Sequence, residues 1–175
     1  MIKYAILVTL FLISKFLYGA TSAENRVDKS YQAAIFTGYD YKVSGVSFMA
    51  AKFIKPNDLL GFKGGVANEG DDHQTTFAIQ YKKFVENSFY IAPEIYYLNY
   101  SELDKSPSLL DYTDERVTAL GLGFRIGNQW HWKNFNIGCD WIGVGSNLVH
   151  WRRSDDFLSL PFTFTFLNFN AGWSF

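Results

Sequence analysis

The chain has 175 residues, a formal net charge of −1 and 19% aromatic residues. A balance this close to neutral gives no indication of a nucleic-acid partner. The single cysteine, Cys139, has no partner for an internal disulfide, so we expect hydrogen bonds and packing to hold the fold. No residue pattern predicts a cofactor or a metal site.

Residues 1–23 have the pattern of an export signal. Lys3 precedes a mostly apolar run from Tyr4 to Leu17, and small residues lead up to Ala23. The run is shorter than the roughly 18 to 20 apolar residues that a membrane-spanning helix needs. The pattern therefore predicts cleavage after Ala23, which leaves residues 24–30 as a short polar tail in the periplasm.

The remaining residues, 31–175, alternate between apolar and polar with the period of two that is typical of β-strands. Eight segments have this pattern, and each is close to the roughly 9 to 11 residues with which a tilted strand crosses a bilayer. They cover residues 31–39, 45–54, 59–67, 74–84, 88–98, 115–127, 135–146 and 161–175. The predicted fold is all-β, an eight-stranded antiparallel up-and-down transmembrane β-barrel.

The connections between the predicted strands alternate in length, as they do in barrels of this kind. Three are tight and are expected to be periplasmic turns, at residues 55–58, 86–87 and 132–134. Four are expected to be extracellular loops, near residues 40–44, 68–73, 99–114 and 147–160. An even number of strands then places both ends of the barrel on the periplasmic side.

Ionisable residues share the inward parity of the strands with many glycines. They are Lys63, Lys82, Glu94, Arg125 and Asp140. An eight-stranded barrel is just wide enough for side chains to fill it, and unpaired charges would be costly there. We therefore expect an ionic network that plugs the lumen, with a narrow channel for small molecules as the alternative.

The position of one tight turn decides how two of these charges meet. A two-residue turn at Trp132-Lys133 would place Arg125 directly opposite Asp140, whereas a turn at Lys133-Asn134 would make them diagonal neighbours. Glu94, on the adjacent strand, can then approach either Arg125 or Lys82.

Aromatic residues are expected where the strands meet the two membrane interfaces. Phe84 is predicted in the periplasmic girdle and Tyr100 near the outer rim. In the last strand, the alternation up to Phe166 is out of phase with the alternation from Leu167 onward. A β-bulge near Phe166-Leu167, or an apolar patch that faces the lumen, would explain this change.

In its predicted architecture and in its terminal Asn170-Ala-Gly-Trp-Ser-Phe175, the chain resembles the small eight-stranded outer-membrane barrels of the OmpA transmembrane domain, OmpX and OmpW type. The resemblance implies an integral protein of the bacterial outer membrane, surrounded by lipid and lipopolysaccharide. It also implies that the barrel assembly machinery reads the last strand, a role that falls on Trp173 and Phe175. No functional motif specific to one family is matched.

The fold alone does not decide the function. We favour a non-enzymatic structural role, or one in binding a surface ligand through the extracellular loops. In that reading Arg152 and Arg153 are available to pair with lipopolysaccharide phosphates.

One alternative is an enzyme that modifies lipid A at the outer leaflet, with His150 and Ser146 as its candidate catalytic residues. Ser146-Asn147 stands where lipid A 3-O-deacylases carry a His-x-Ser-Asn element, but Val144 occupies the place of that histidine. Another alternative, a soluble lipocalin-like barrel, disagrees with the ionisable residues on the glycine parity.

Overall fold

Eight antiparallel strands form one closed barrel in the computed structural model, which describes residues 22–40, 43–69, 72–85, 87–104, 113–152 and 162–175. The strands are β1 Tyr31–Asp40, β2 Val43–Lys55, β3 Asp58–Glu69, β4 Asp72–Phe84, β5 Phe89–Asp104, β6 Thr113–Trp132, β7 Phe135–Arg152 and β8 Phe162–Ser174. Each strand pairs with its neighbours in sequence, and β8 closes the barrel on β1. The predicted eight-stranded up-and-down fold is confirmed.

A short 3-10 turn, Glu24–Arg26, precedes the barrel. No helix among the described residues is long and apolar enough to cross a membrane. The predicted signal up to residue 21 lies outside the described residues, so its cleavage site stays a prediction.

Strands β5, β6 and β7 are longer than the sequence predicts. They contain 16, 20 and 18 residues, and β1 contains 10. Their added length takes in part of the segments predicted as loops 99–114 and 147–160. The backbone hydrogen bonds between β5, β6 and β7 continue beyond the predicted strand ends, where the apolar alternation has stopped. Backbone pairing does not require a side chain that faces lipid. The centres of these loops, residues 105–112 and 153–161, lie outside the described residues.

The outer surface of the barrel is apolar. Large exposed side chains face outward on every strand, among them Ile35, Phe48, Phe62, Ile79, Ile95, Leu122, Ile137 and Phe169. An apolar band of this kind is what a lipid-facing barrel surface requires.

The interior has three layers. An apolar and aromatic cluster fills the periplasmic half, with Phe36, Phe53, Leu59, Phe84 and Tyr90 among its members. A second apolar cluster, which includes Tyr96, Leu98 and Tyr100, lies toward the extracellular mouth. Charged side chains occupy the level between the two clusters.

Two aromatic residues lie inside the barrel instead of in the girdles where the sequence placed them. Phe84 has the same parity as Lys82 and Gln80, and all three are buried. Tyr100 likewise shares the inward parity of Tyr96 and Leu98. The prediction was wrong for both residues because position along the strand was given more weight than parity.

The predicted β-bulge in the last strand is confirmed. Leu167 has a φ of +48°, and the pairing of β8 with β1 shifts between Thr37 and Tyr39. Opposite it, Gly38 has a φ of +148°, and a Cβ there would lie 2.5 Å from the Leu167 carbonyl oxygen. The bulge resets the parity of β8, so Thr165 on one side of it and Asn168 on the other both face the lumen.

Candidate functional site: a charge-balanced network in the lumen

Arg125 of β6 is the centre of the charged layer. Its side chain is 1% exposed and contacts three carboxylates on three different strands. Nε lies 2.8 Å from Glu94 Oε1 on β5, and Nη1 lies 3.4 Å from Asp140 Oδ2 on β7. Nη2 lies 2.8 Å from Asp40 Oδ1 on β1. The guanidinium therefore links the two strands that flank β6 to β1, which does not pair with any of them.

Asp40 is a second centre of the network, and sequence reasoning missed it. Lys63 Nζ lies 2.5 Å from Asp40 Oδ2, and the Thr165 hydroxyl donates a hydrogen bond to Oδ1 at 2.8 Å. Asn168 Nδ2 donates to Oδ2 at 3.0 Å. The available signal was parity, since Asp40 continues the inward series of Gln32, Ala34 and Phe36.

Lys82 does not contact Asp40 or Glu94, and its partners lie nearer the periplasm. Its Nζ donates a hydrogen bond to Gln129 Oε1 at 2.8 Å and lies 4.0 Å from the centroid of the Tyr90 ring. The Tyr90 hydroxyl in turn donates to Asp140. Of the two partners considered for Glu94, the structure thus brings Arg125 to it, while Gln80, its direct neighbour across the ladder, donates a further bond at 3.2 Å.

The turn between β6 and β7 is at Lys133-Asn134, where Trp132 pairs with Phe135. Arg125 and Asp140 are diagonal neighbours, as this turn predicts. The pairing also shifts between Ile126 and Gly127, so that Arg125 stands opposite Gly143.

Glycines make room for the large charged side chains. Glu94 pairs with Gly123, where a Cβ would lie 2.8 Å from Glu94 Oε1. Arg125 pairs with Gly143, where a Cβ would lie 3.0 Å from Arg125 Cγ. The glycines and charges that alternate in the sequence therefore occupy the same level of the lumen.

The network has as many acidic as basic members. Asp40, Glu94 and Asp140 carry three negative charges, and Lys63, Lys82 and Arg125 carry three positive charges. Such pairing offsets the cost of taking the charges out of water. Among the residues that the structure describes, no group of three His, Cys, Asp or Glu side chains is arranged to hold a metal ion.

Arg26, from the 3-10 turn, closes the periplasmic end of the lumen. It is fully buried and donates to Pro56 O at 3.0 Å, Asn57 Oδ1 at 3.0 Å and Asn87 O at 2.8 Å. Its guanidinium carbon also lies 3.9 Å from the centroid of the Phe84 ring. Burial lowers the pKa of Arg26 to about 10, so the group stays charged at neutral pH.

The segment that contains Arg26 was predicted as a polar tail, and no periodic pattern marks it as part of the barrel. In the structure, however, residues on both sides of Arg26 form hydrogen bonds with the barrel. Asn25 Nδ2 donates to His131 O at 3.0 Å, and the side chains of Lys29 and Asn134 are hydrogen-bonded. The tail therefore folds across the periplasmic mouth.

The predicted assembly residues lie at this same end. Trp173 and Phe175 are both more than half exposed on the outer surface. The Phe175 carbonyl accepts hydrogen bonds from the backbone of Ser30 and Tyr31 at 2.9 and 2.8 Å. Recognition of these residues by the assembly machinery stays a prediction.

The candidate catalytic pair lies near the extracellular rim. Ser146 pairs with the outward-facing Leu122, whereas the backbone of His150 pairs with Ala119, which is buried in the lumen. The pairing of β7 with β6 shifts at Leu148, between these two positions. The side chain of His150 lies outside the described part of the chain, so the contact itself is untested.

The proposed lipopolysaccharide contacts are untested as well. The side chain of Arg152 and the whole of Arg153 lie outside the described residues. The structure assigns Arg152 only to the last position of β7, paired with Val117.

A closed eight-stranded barrel with an apolar outer band and a filled polar centre has the architecture of the small outer-membrane β-barrel proteins. No family model matches the chain, and no curated protein does. Among solved structures, the chain is similar to Neisserial surface protein A (NspA), with a TM-score of 0.58 and 13% identity over 83% of this chain and 96% of that one. It is also similar to the N-terminal β-barrel domain of Pseudomonas aeruginosa OprF, with a TM-score of 0.53 and 12% identity over 84% of this chain and 98% of that one. At these identities the likeness establishes the fold.

Proposed function

We propose that this protein is an integral outer-membrane barrel with a closed lumen, and that it has a structural or surface-interaction role and no enzymatic activity. The observation that carries the proposal is the filling of the lumen. Arg125 and its three carboxylates fill the middle, and Arg26 closes the periplasmic end. A barrel that is closed both in the middle and at the periplasmic end offers little passage for solutes. The functional surface is then the extracellular end.

The length of the strands at that end supports a surface role. A tilted strand crosses the bilayer in about 9 to 11 residues, and β6 has 20. On the neighbouring β7, Leu148, Val149 and Trp151 are exposed beyond the first ten residues of the strand. Apolar side chains that rise above the lipid are typical of a surface that contacts a partner.

The proposed topology is tested by thiol labelling of intact cells, in a Cys139→Ala background. We expect Trp151→Cys to react with a membrane-impermeant maleimide, because this position is exposed on the extended part of β7. Lys133→Cys, in a tight turn at the opposite end, is the matched control and should react only after the outer membrane is permeabilised. Labelling of Lys133→Cys but not of Trp151→Cys in intact cells would contradict the proposal.

The enzymatic alternative has its own test. Mass spectrometry of lipid A from cells with and without the protein is expected to give the same acylation pattern. A change that depends on the protein and disappears in His150→Ala or Ser146→Ala would replace the proposed role with a lipid A-modifying activity.

A further inference from the structure

The lipid-facing surface of the described residues has a groove, formed by small side chains among bulky ones. Ala33 on β1 pairs with Ala50 on β2, and both face outward. Along the same row, Trp173 of β8 lies next to Ala33, and Phe62 of β3 lies next to Ala50. The two large side chains form the walls, and the two alanines form the floor of a groove of about 780 Å³.

The two ends of this groove differ in chemistry. Toward the middle of the barrel it is bordered by Ile35 and Phe48, which pair with each other and are exposed. Toward the periplasm the next outward pair is Tyr31 and Lys52. The residues that line the groove are apolar or glycine, and Lys52 lies one outward pair beyond them, toward the periplasm.

Lys52 is available for a ligand. Its side chain is exposed, and it makes no ion pair with any residue that the structure describes. An ammonium group at the level where the strands leave the bilayer attracts phosphate, and its apolar stem can lie along the groove. The aromatic rings of Tyr31 and Phe175, 6.1 Å apart, mark the same level as an interface.

We propose that this groove binds one glycerophospholipid of the periplasmic leaflet, with an acyl chain over Ala33 and Ala50 and its phosphate at Lys52. The inference rests on the proposed location in the outer membrane. The volume lies within the range of roughly 300 to 1,000 Å³ that is typical of small-molecule sites. Its apolar lining suits a hydrocarbon chain, and the single cation suits the one phosphate that every such lipid carries.

The site is tested by native mass spectrometry of the purified barrel in detergent, titrated with dioleoyl phosphatidylglycerol. We expect the wild-type protein to retain one lipid. Ala50→Phe fills the floor of the groove and should abolish retention, whereas Ile95→Phe, which adds bulk to the outer face of β5, should leave it unchanged.

A second pair of variants tests the role of the charge. Lys52→Gln is expected to weaken binding about fivefold, the effect of one lysine near a phospholipid surface. Lys83→Gln removes an exposed lysine from the same end of β4 and should have no effect. Equal weakening in both variants would mean that general attraction to the headgroups, not a site, holds the lipid.

Heat-modified electrophoretic mobility of each variant separates the two proposals. A chain that shows no folded, heat-sensitive form in lipid would overturn the barrel's membrane role itself. A folded barrel that retains no lipid, or retains it equally in Ala50→Phe, would overturn only the lipid site. A mass of two chains that disappears in Ala50→Phe would assign the groove to a second copy of the barrel instead.

Discussion

The middle of the lumen and its periplasmic end both bury an arginine, but they stabilise it by different means. Arg125 is surrounded by three carboxylates, each on a different strand. Arg26 is held by uncharged oxygens of two turns and by the face of Phe84. If Arg125 is removed, negative charges are left inside the protein. If Arg26 is removed, only neutral acceptors near the mouth are left, and water can reach them.

The largest expected effect is that of Arg125→Met. It leaves Asp40, Glu94 and Asp140 without their shared cation. Removing one partner of a buried ion pair lowers the free energy of unfolding by about 3 to 5 kcal/mol. Urea unfolding in lipid vesicles, followed by tryptophan fluorescence, measures the free energy of unfolding. Arg125→Lys keeps the charge and should lose less. A loss below about 1 kcal/mol for Arg125→Met would mean that the network is not coupled as the contacts indicate.

An intermediate effect is expected for Asp40→Asn. The change removes the charge that faces both Lys63 and Arg125, and hydrogen bonds to charged groups contribute about 1.5 to 3 kcal/mol. Asp40 is 14% exposed, so solvent should moderate the loss.

The same unfolding measurement tests whether the effect acts through Lys63. The double variant Asp40→Asn, Lys63→Met should recover part of the stability, because the buried ammonium is then absent. Strictly additive losses in the two single variants would count against a direct interaction.

The smallest effect on stability is expected for Arg26→Ala, about 1 kcal/mol, because ordered water can replace the guanidinium at the exposed carbonyls. Its effect on permeability should appear once the charged layer is also removed, so it is measured in an Arg125→Met background. Asp28→Ala, from the same tail, is the control that removes an exposed charge. Swelling assays of proteoliposomes in small sugars measure the difference, and equal permeability of the Arg26→Ala and Asp28→Ala variants in that background would contradict the role given to Arg26.

Much of the fold was predictable because lipid imposes a strict alternation on the strands. The tight turn at Lys133-Asn134 was one of the two turn positions that the sequence allowed. The bulge at Leu167 was visible in the sequence as a change of phase in the alternation of aromatic residues. The diagonal contact of Arg125 with Asp140 followed from the turn, because the register set there holds as far as the pair of Gly127 and Asp140.

The remaining features lie at the ends of the strands or outside them. Asp40 stands at the end of its strand beside Gly38 and Tyr39, a composition that favours a turn. Arg26 is one of two basic residues in a polar tail, and only the folded barrel provides its acceptors. The extensions of β5 to β7 leave the bilayer, so their outward residues need not be apolar, and the pattern that predicts strands is lost there.

The central claim is that the lumen is closed, and ion conduction through single barrels in planar lipid bilayers tests it most directly. The wild-type barrel is expected to carry no steady current. The double variant Arg26→Ala, Arg125→Met should open measurable current steps, because both barriers along the lumen are then removed. A steady, ion-selective current through the wild-type barrel that persists unchanged in the double variant would contradict the account.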